Sequence, residues 1–357
     1  MKLIKLFSAL LFMAIIAMLF SSVTEVSAEP IFVGLVAFSI LMGGMAKTGM
    51  AFMAVNVEVW EADILANLFK NNDFAKRAYN ADQYVLNGKV VHIPRAGAPS
   101  GVTKNLSVFP AIAVKRTDDD VTYAIDTFYS TPRHIENIEK YELSYDKRQS
   151  ALGEDQSALI DVTMDGLVYN WLPLVTNTIL TTGAAAAATL PGATLTRKMI
   201  TKTEFQTAKL KMDKAKIPSN GRLAVLTSDH YNQFFNSLSE GEKTNFNNFA
   251  DNKTGIVGKY LGFEIMMRST LGRYRGADGV YVKVDEYAAG FGASDQTSDR
   301  AASLIYHEHC AERALGGVEM FDRPNDPLYY GDVFSFQLRL GGRIRRDAGV
   351  YAIVESL

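Results

Sequence analysis

The stretch Met320–Val354, MFDRPNDPLYYGDVFSFQLRLGGRIRRDAGVYAIV, decides the architecture of this chain together with the shorter run Gly255–Thr270, GIVGKYLGFEIMMRST. Neither contains a nucleophile–base set, a metal cluster or a phosphate loop. Gly255, Gly258 and Gly262 lack the strand-then-helix setting of a dinucleotide loop and precede a strand instead. Arg339, Arg343, Arg345 and Arg346 make the terminal stretch the most basic part of the chain.

Outward from these, Lys216–Tyr231 (KIPSNGRLAVLTSDHY) places a turn at Pro218–Gly221 and an apolar strand at Arg222–Leu226. Thr227 or Ser228 then caps a helix running through Leu238. Upstream, Thr201-Lys-Thr-Glu204 fits a capping box, with Phe205, Ala208, Met212 and Ala215 on one face of the helix it opens. Residues 176–200 are small and polar, the composition of a connector. In residues 147–172, Leu152, Leu159, Ile160, Thr163, Met164, Leu167, Val168 and Trp171 recur at three-to-four spacing, and Pro173 ends the run. The spacing predicts a helix of about 25 residues, on the order of 37 Å long. Glu154, Asp155, Asp161 and Asp165 are expected on its solvated face, because no basic partner sits at matching spacing.

Residues 87–131 are β-rich. Lys89–Ile93 is β-prone, Ala96–Gly101 is loop chemistry, and Val121, Tyr123 and Ile125 alternate with polar or small residues. A long hairpin follows, with its tight turn expected near Asp118–Asp120. Its apolar content is too small to bury both faces, so it needs a partner surface. Earlier still, Trp60, Ile64, Leu65, Leu68 and Phe69 form one apolar helical stripe.

The Gly255–Thr270, Lys216–Tyr231 and Met320–Val354 segments resemble those of tailed-phage major capsid proteins of the HK97 fold. In that family a G-x-x-G-x-x-x-G-F-x-[IV] segment recurs, matched here from Gly255 to Ile265, and a terminal G-D-x-[FV]…G-x-x-[IV]-x-R segment, matched by Gly331-Asp332-x-Phe334 and Gly341-x-x-Ile344-x-Arg346. The likeness covers about residues 54–357 and rests on the order of the pieces. It implies an α+β fold: an N-terminal arm at 53–86, an extended hairpin (E-loop) at 87–131, a P domain with a spine helix at 132–215, an A domain at 216–317, and returning P-domain strands at 318–357. The implied function is self-assembly, through hexamers and pentamers, into an icosahedral virion shell holding double-stranded DNA, built in the host cytoplasm. Scaffolding protein, portal and prohead protease are the partners such a shell implies. An encapsulin-like compartment of the same fold is the close alternative. An exported or membrane-anchored enzyme is the alternative from another class. Candidate intersubunit contacts are Trp60 in the arm, Val121, Tyr123 and Ile125 in the hairpin, and Arg343 and Arg345, which would meet acids on a neighbour or packaged DNA. Some members crosslink a hairpin lysine to a neighbour's asparagine; Lys104 and Lys115 lie in the matching region, without a local motif for a partner.

Bulk properties agree with a globular shell or enzyme domain. The chain has 357 residues, 48% hydrophobic and 21% charged, with a net charge of −2, which does not announce a nucleic-acid reader. One cysteine, Cys310, excludes an intrachain disulfide and is expected to be a small buried side chain. Residues 1–52 stand apart. Lys2 and Lys5 precede the apolar run Leu6–Phe20, a small-residue site ends at Ala28, and a second uncharged run, Ile31–Ala46, is short for a membrane span. The segment is expected to be a leader outside the working subunit, or codons before a start at Met50 or Met53. Without it the remainder carries −3, since three lysines and two acids leave with it.

His307-Glu308-His309-Cys310 gathers metal-ligand side chains, but Ser303–Ala314 looks helical, where i and i+2 point apart. Neither a metal nor a cofactor is expected. No Gly-x-Ser-x-Gly elbow marks a nucleophile, and no catalytic residue is assigned.

Overall fold

The computed structural model describes residues 59–357 except 66, 69–71, 87–88, 96–103, 106–118, 137–146, 252–253 and 286–295. The expected leader, Lys115 and the tip of the hairpin lie outside the described residues. Residues 63–357 form one compact unit and residues 59–62 belong to another. Residues 59–65 and 67–68 are helical, with Trp60 half-buried and Ile64 and Leu68 buried.

Among the described residues five helices follow: α1 (Asp73–Arg77), α2 (Lys147–Trp171), α3 (Lys202–Lys214), α4 (Ser228–Ser237) and α5 (Glu240–Asn247). The strands in chain order are β1 (Tyr79–Asn80), β2 (Val85–Leu86), β3 (Val90–Arg95), β4 (Asp119–Ala124), β5 (Asp126–Tyr129), β6 (Arg133–Glu136), β7 (Thr178–Leu180), β8 (Ala185–Ala187) and β9 (Thr196–Lys198). Beyond α3 come β10 (Arg222–Thr227), β11 (Ile256–Tyr260), β12 (Phe263–Arg268), β13 (Arg273–Ala277), β14 (Val280–Val284), β15 (Asp299–His307), β16 (Ala311–Asp326), β17 (Gly331–Ile344) and β18 (Val350–Val354).

Among the described residues, two large sheets carry most of these strands, beside the smaller β2–β3–β4 and β8–β9 sheets. In one, β16 and β17 form a long antiparallel hairpin, flanked by β1 on the β16 side and by β5 and β6 on the β17 side. In the other, β10 lies between β12 and β15, and β13–β14 and β18–β7 extend from β15. All nine residues of β15 and all six of β10 are buried, as befits central strands covered on both faces.

Helix α2 has the 25 residues that its spacing predicts. Its eight stripe residues are all buried, Met164, Val168 and Trp171 completely. Thr163 is tolerated inside the stripe because its hydroxyl donates to the Leu159 carbonyl at 2.6 Å. At the far end, Lys283 of β14 donates to the Tyr169 and Leu172 carbonyls at 3.2 and 3.3 Å, satisfying acceptors that a helix terminus leaves open. The Thr201–Glu204 capping box is present, and Thr227 caps α4.

Three expectations give way. Asp119 and Asp120 are not at the turn of the hairpin: they pair with Arg95 and Pro94 within the β3–β4 ladder, so the connection spans 96–118. The Asp run looked like turn chemistry only because its partner strand is remote in sequence. The supposed connector 176–200 holds β7, paired in parallel with β18, and the β8–β9 hairpin. Ser303–Ala314 is extended, not helical: β15 turns into β16 at His307–Cys310, where the Cys310 amide donates to the His307 carbonyl at 2.8 Å.

Candidate assembly surfaces

Strand β17 has two faces with different chemistry. On one, α2 packs close because residue 342 has no side chain: a Cβ there would stand 2.5 Å from Leu167, 2.7 Å from the Glu312 carbonyl oxygen and 2.9 Å from the Trp171 indole nitrogen. That space lets the Trp171 indole donate to the Glu312 carbonyl at 2.8 Å. Gly341 does the same for the other face, where a Cβ would stand 3.1 Å from the Ile125 backbone. The two adjacent glycines of the terminal stretch therefore admit the helix on one side and the hairpin root on the other.

The hairpin root is covered by its own chain. Ile125, Val91, Ile93, Ala81 and Ala314 form a buried cluster, with Tyr79, Tyr84, Val85 and Tyr123 packed against it. The apolar face that the hairpin strands cannot cover by themselves receives intrachain cover from Tyr79, Ala81, Tyr84, Val85 and Ala314. Of Val121, only the backbone pairing with Ile93 is described.

Arg343 and Arg345 are also engaged within the chain. Both bind the fully buried Glu312 carboxylate, through Arg343 Nε at 2.5 Å and Arg345 Nε at 3.4 Å. Arg343 lies over the Tyr123 ring at 5.4 Å and Arg345 over the Tyr79 ring at 4.0 Å. Burial is the largest of the effects that raise the Tyr123 hydroxyl above its ordinary range. Within the chain, charge in this stretch thus meets a buried acid of its own sheet. The acids of α2 differ from expectation too: Asp155 takes a bidentate contact from Arg133 at 2.8 and 2.5 Å, and Asp165 pairs with Arg268. Their partners come from β6 and β12, distances along the chain that local spacing cannot reveal.

What the chain leaves uncovered lies elsewhere. Tyr129 stands opposite Gln337 and Phe321 opposite Ser335, so both share the face of β17 that carries Arg343. They are 71% and 51% exposed, and at the β16–β17 tip Leu328 and Tyr330 are 77% and 80% exposed. Between α2 and β5–β6 runs a groove of about 1010 Å³, bordered by Phe128, Tyr129, Arg133, Leu159 and Tyr169. Gly166 gives it depth, since a Cβ there would stand 2.5 Å from the Phe128 ring.

A buried polar trio was not foreseen. His230 Nδ1 lies 2.6 Å from the Ser303 hydroxyl and Nε2 lies 3.4 Å from the Glu355 carboxylate. Thr189 donates to Glu355 at 2.7 Å. The arrangement imitates a nucleophile, base and acid, but all three residues are buried, so a substrate has no approach. It ties α4, β15 and the segment after β18 together. His307 donates from Nε2 to the Asn220 carbonyl at 3.0 Å and accepts the His309 amide at Nδ1; burial is the main cause of its lowered pKa. Among the described residues no group of three or more His, Cys, Asp or Glu could hold a metal ion, and no helix is long and apolar enough to cross a membrane. Cys310 is buried.

No family model matches the sequence, and no curated protein matches it. Solved structures do. A structure from Mycobacterium phage Che8 superposes with a TM-score of 0.52 at 17% identity, covering 78% of this chain and 90% of that one. The capsid structure of cyanophage P-SCSP1u gives 0.51 at 16%, covering 78% and 86%. The capsid asymmetric unit of cyanophage Pam1 gives 0.51 at 10%, covering 80% and 92%. At such identities the likeness is one of fold: this chain has the HK97 capsid fold.

Proposed function

We propose that this chain is the repeating subunit of a virion head shell and works by tiling with copies of itself around double-stranded DNA. The observation that carries this reading is the half-covered face of β17. One end of that face is sealed by the hairpin root, while the other presents Tyr129 and Phe321 to solvent, and Leu328 and Tyr330 are exposed at the β16–β17 tip. Large apolar side chains left exposed on a folded protein mark an interface, and symmetry repeats each modest contact in every subunit. The fold it shares with phage capsid structures supports the same assignment. Within it, residues 216–317 are the axis-facing module and residues 53–86 the arm that crosses a neighbour.

The test is assembly. Expression of the chain, and of a version beginning at Met53, should yield capsomers or closed shells by sizing and electron microscopy. Replacing Tyr129 and Phe321 together with Asp should leave circular dichroism unchanged and abolish shells. A monomer at high concentration from both unsubstituted versions, or shells unaffected by the double substitution, would overturn the reading.

A further inference from the structure

The Glu312 carboxylate stands at a junction of four elements. Its strand is paired with β1 through Tyr79 and with β17 through Arg343. Its carbonyl accepts the Trp171 indole of α2. Its side chain, with no solvent exposure, holds Arg343 and Arg345. Each of these guanidiniums lies over a tyrosine from a different element, Tyr123 in the hairpin strand β4 and Tyr79 in the segment before it. A second acid supports the same junction: Asp82 accepts the Leu315 amide at 2.7 Å and pairs with Arg313 at 3.4 Å. A cation over an aromatic ring is attracted weakly unless its position is fixed, and the carboxylate fixes both cations at once.

We propose that Glu312 is a latch that couples two elements, holding the β3–β4 hairpin and the segment 79–86 at set angles to the body through Arg343–Tyr123 and Arg345–Tyr79, so that its release frees both together. The apolar cluster and the β2–β3 pairing join the two elements to each other; the carboxylate adds a shared anchor to the body. The Ile125 cluster is small, and the buried cluster residues of the hairpin strands are few, whereas the charged junction reaches both elements from one atom group. The latch belongs to the single subunit and does not depend on its assembling.

Hydrogen exchange read by mass spectrometry on the full chain tests it, with wild type and variants compared in the same oligomeric state. Glu312→Gln should raise amide exchange about tenfold in both 79–86 and the β3–β4 strands, the scale of two partly desolvated cation–π contacts, while β10 and β18 stay protected. Tyr123→Leu should loosen the hairpin alone, and Tyr79→Leu the 79–86 segment alone. If E312Q loosens only one element, or raises exchange equally in β10 and β18, the latch is disproved. Should E312Q fail to fold, the tyrosine variants still decide: an unchanged hairpin in Tyr123→Leu overturns the proposal, and selective loosening in each variant upholds it.

Discussion

The two faces of β17 are built from the same fourteen residues and solve different problems. Toward α2 the strand offers Phe334, Phe336, Leu338 and Leu340, all at most 2% exposed, and Gly342. On the hairpin side it offers Arg339, Gly341 and Arg343, and contacts run through ion pairs with Glu319 and Glu312 of β16 and a guanidinium over the Tyr123 ring. Apolar burial is non-directional and close-packed, so the helix face commits the fold. Charge-assisted contacts are directional and tolerate rearrangement into solvent, so the hairpin face sets an angle without deciding whether the chain folds.

The sharpest way to break this comparison is Trp171→Ala. The ring is fully buried between Phe74 and Tyr306, with centroids 6.2 and 5.3 Å away, and its loss should cost about 3–5 kcal/mol of global stability in urea unfolding. A cost below 1 kcal/mol would mean the helix face is not the committed one. On the opposite face, Arg343→Leu removes a hydrogen bond to a carboxylate and should cost about 1.5–3 kcal/mol, with exchange rising first in the hairpin. Equal and global effects of the two substitutions would erase the distinction.

A pH series sharpens it further by asking how charge behaves where it is sealed inside a sheet. Burial raises the Asp299 carboxyl, but hydrogen bonds from Arg275 and the Gln296 amide, with the charges of Arg275 and Arg273, outweigh this and hold it below the ordinary carboxylate range. A depressed folded value means the group stabilises the fold above its unfolded value, about 3.9, and that this contribution fades as pH falls through the folded value. Melting temperature should therefore drop on acidification below about pH 4, and Asp299→Asn should be less stable at neutral pH with a shallower acid slope. An unchanged slope would show that Asp299 does not carry the acid sensitivity. The smallest effect expected is from Thr201→Ala, about 1 kcal/mol from a lost cap, measured as a shifted urea midpoint with unchanged slope; it touches neither face of β17 and calibrates the others.

Local periodicity made α2 legible to within a residue, because all its signals lie within one helix: spacing, the Pro173 stop and a buried stripe. The capping box at Thr201 was legible for the same reason. The α+β order of elements was legible from the resemblance of three segments. What local reading could not reach was pairing across long separations. Asp119 and Asp120 resembled a turn until set against Pro94 and Arg95; the helical look of Ser303–Ala314 ignored that Ser303 and Tyr306 are neighbours of β18 and β10. The candidate contacts fared similarly. The pairing of Arg343 and Arg345 with Glu312 inside the chain had no local signal, since composition gives no reason to bury that charge. Tyr129 and Phe321 had no signal at all, since their exposure follows from which sheet face α2 leaves uncovered.

The bond between the Trp171 indole and the Glu312 carbonyl also makes the subunit its own optical gauge. The chain has two tryptophans, Trp60 and Trp171. With Trp60 replaced by Phe, all indole fluorescence would come from a ring sealed at the meeting point of helix, sheet and junction. Its emission would sit toward the blue and move red as water reached it. Any rearrangement that pulls helix and sheet apart, in a free subunit or inside a closed particle, would then announce itself as a change of colour without a label.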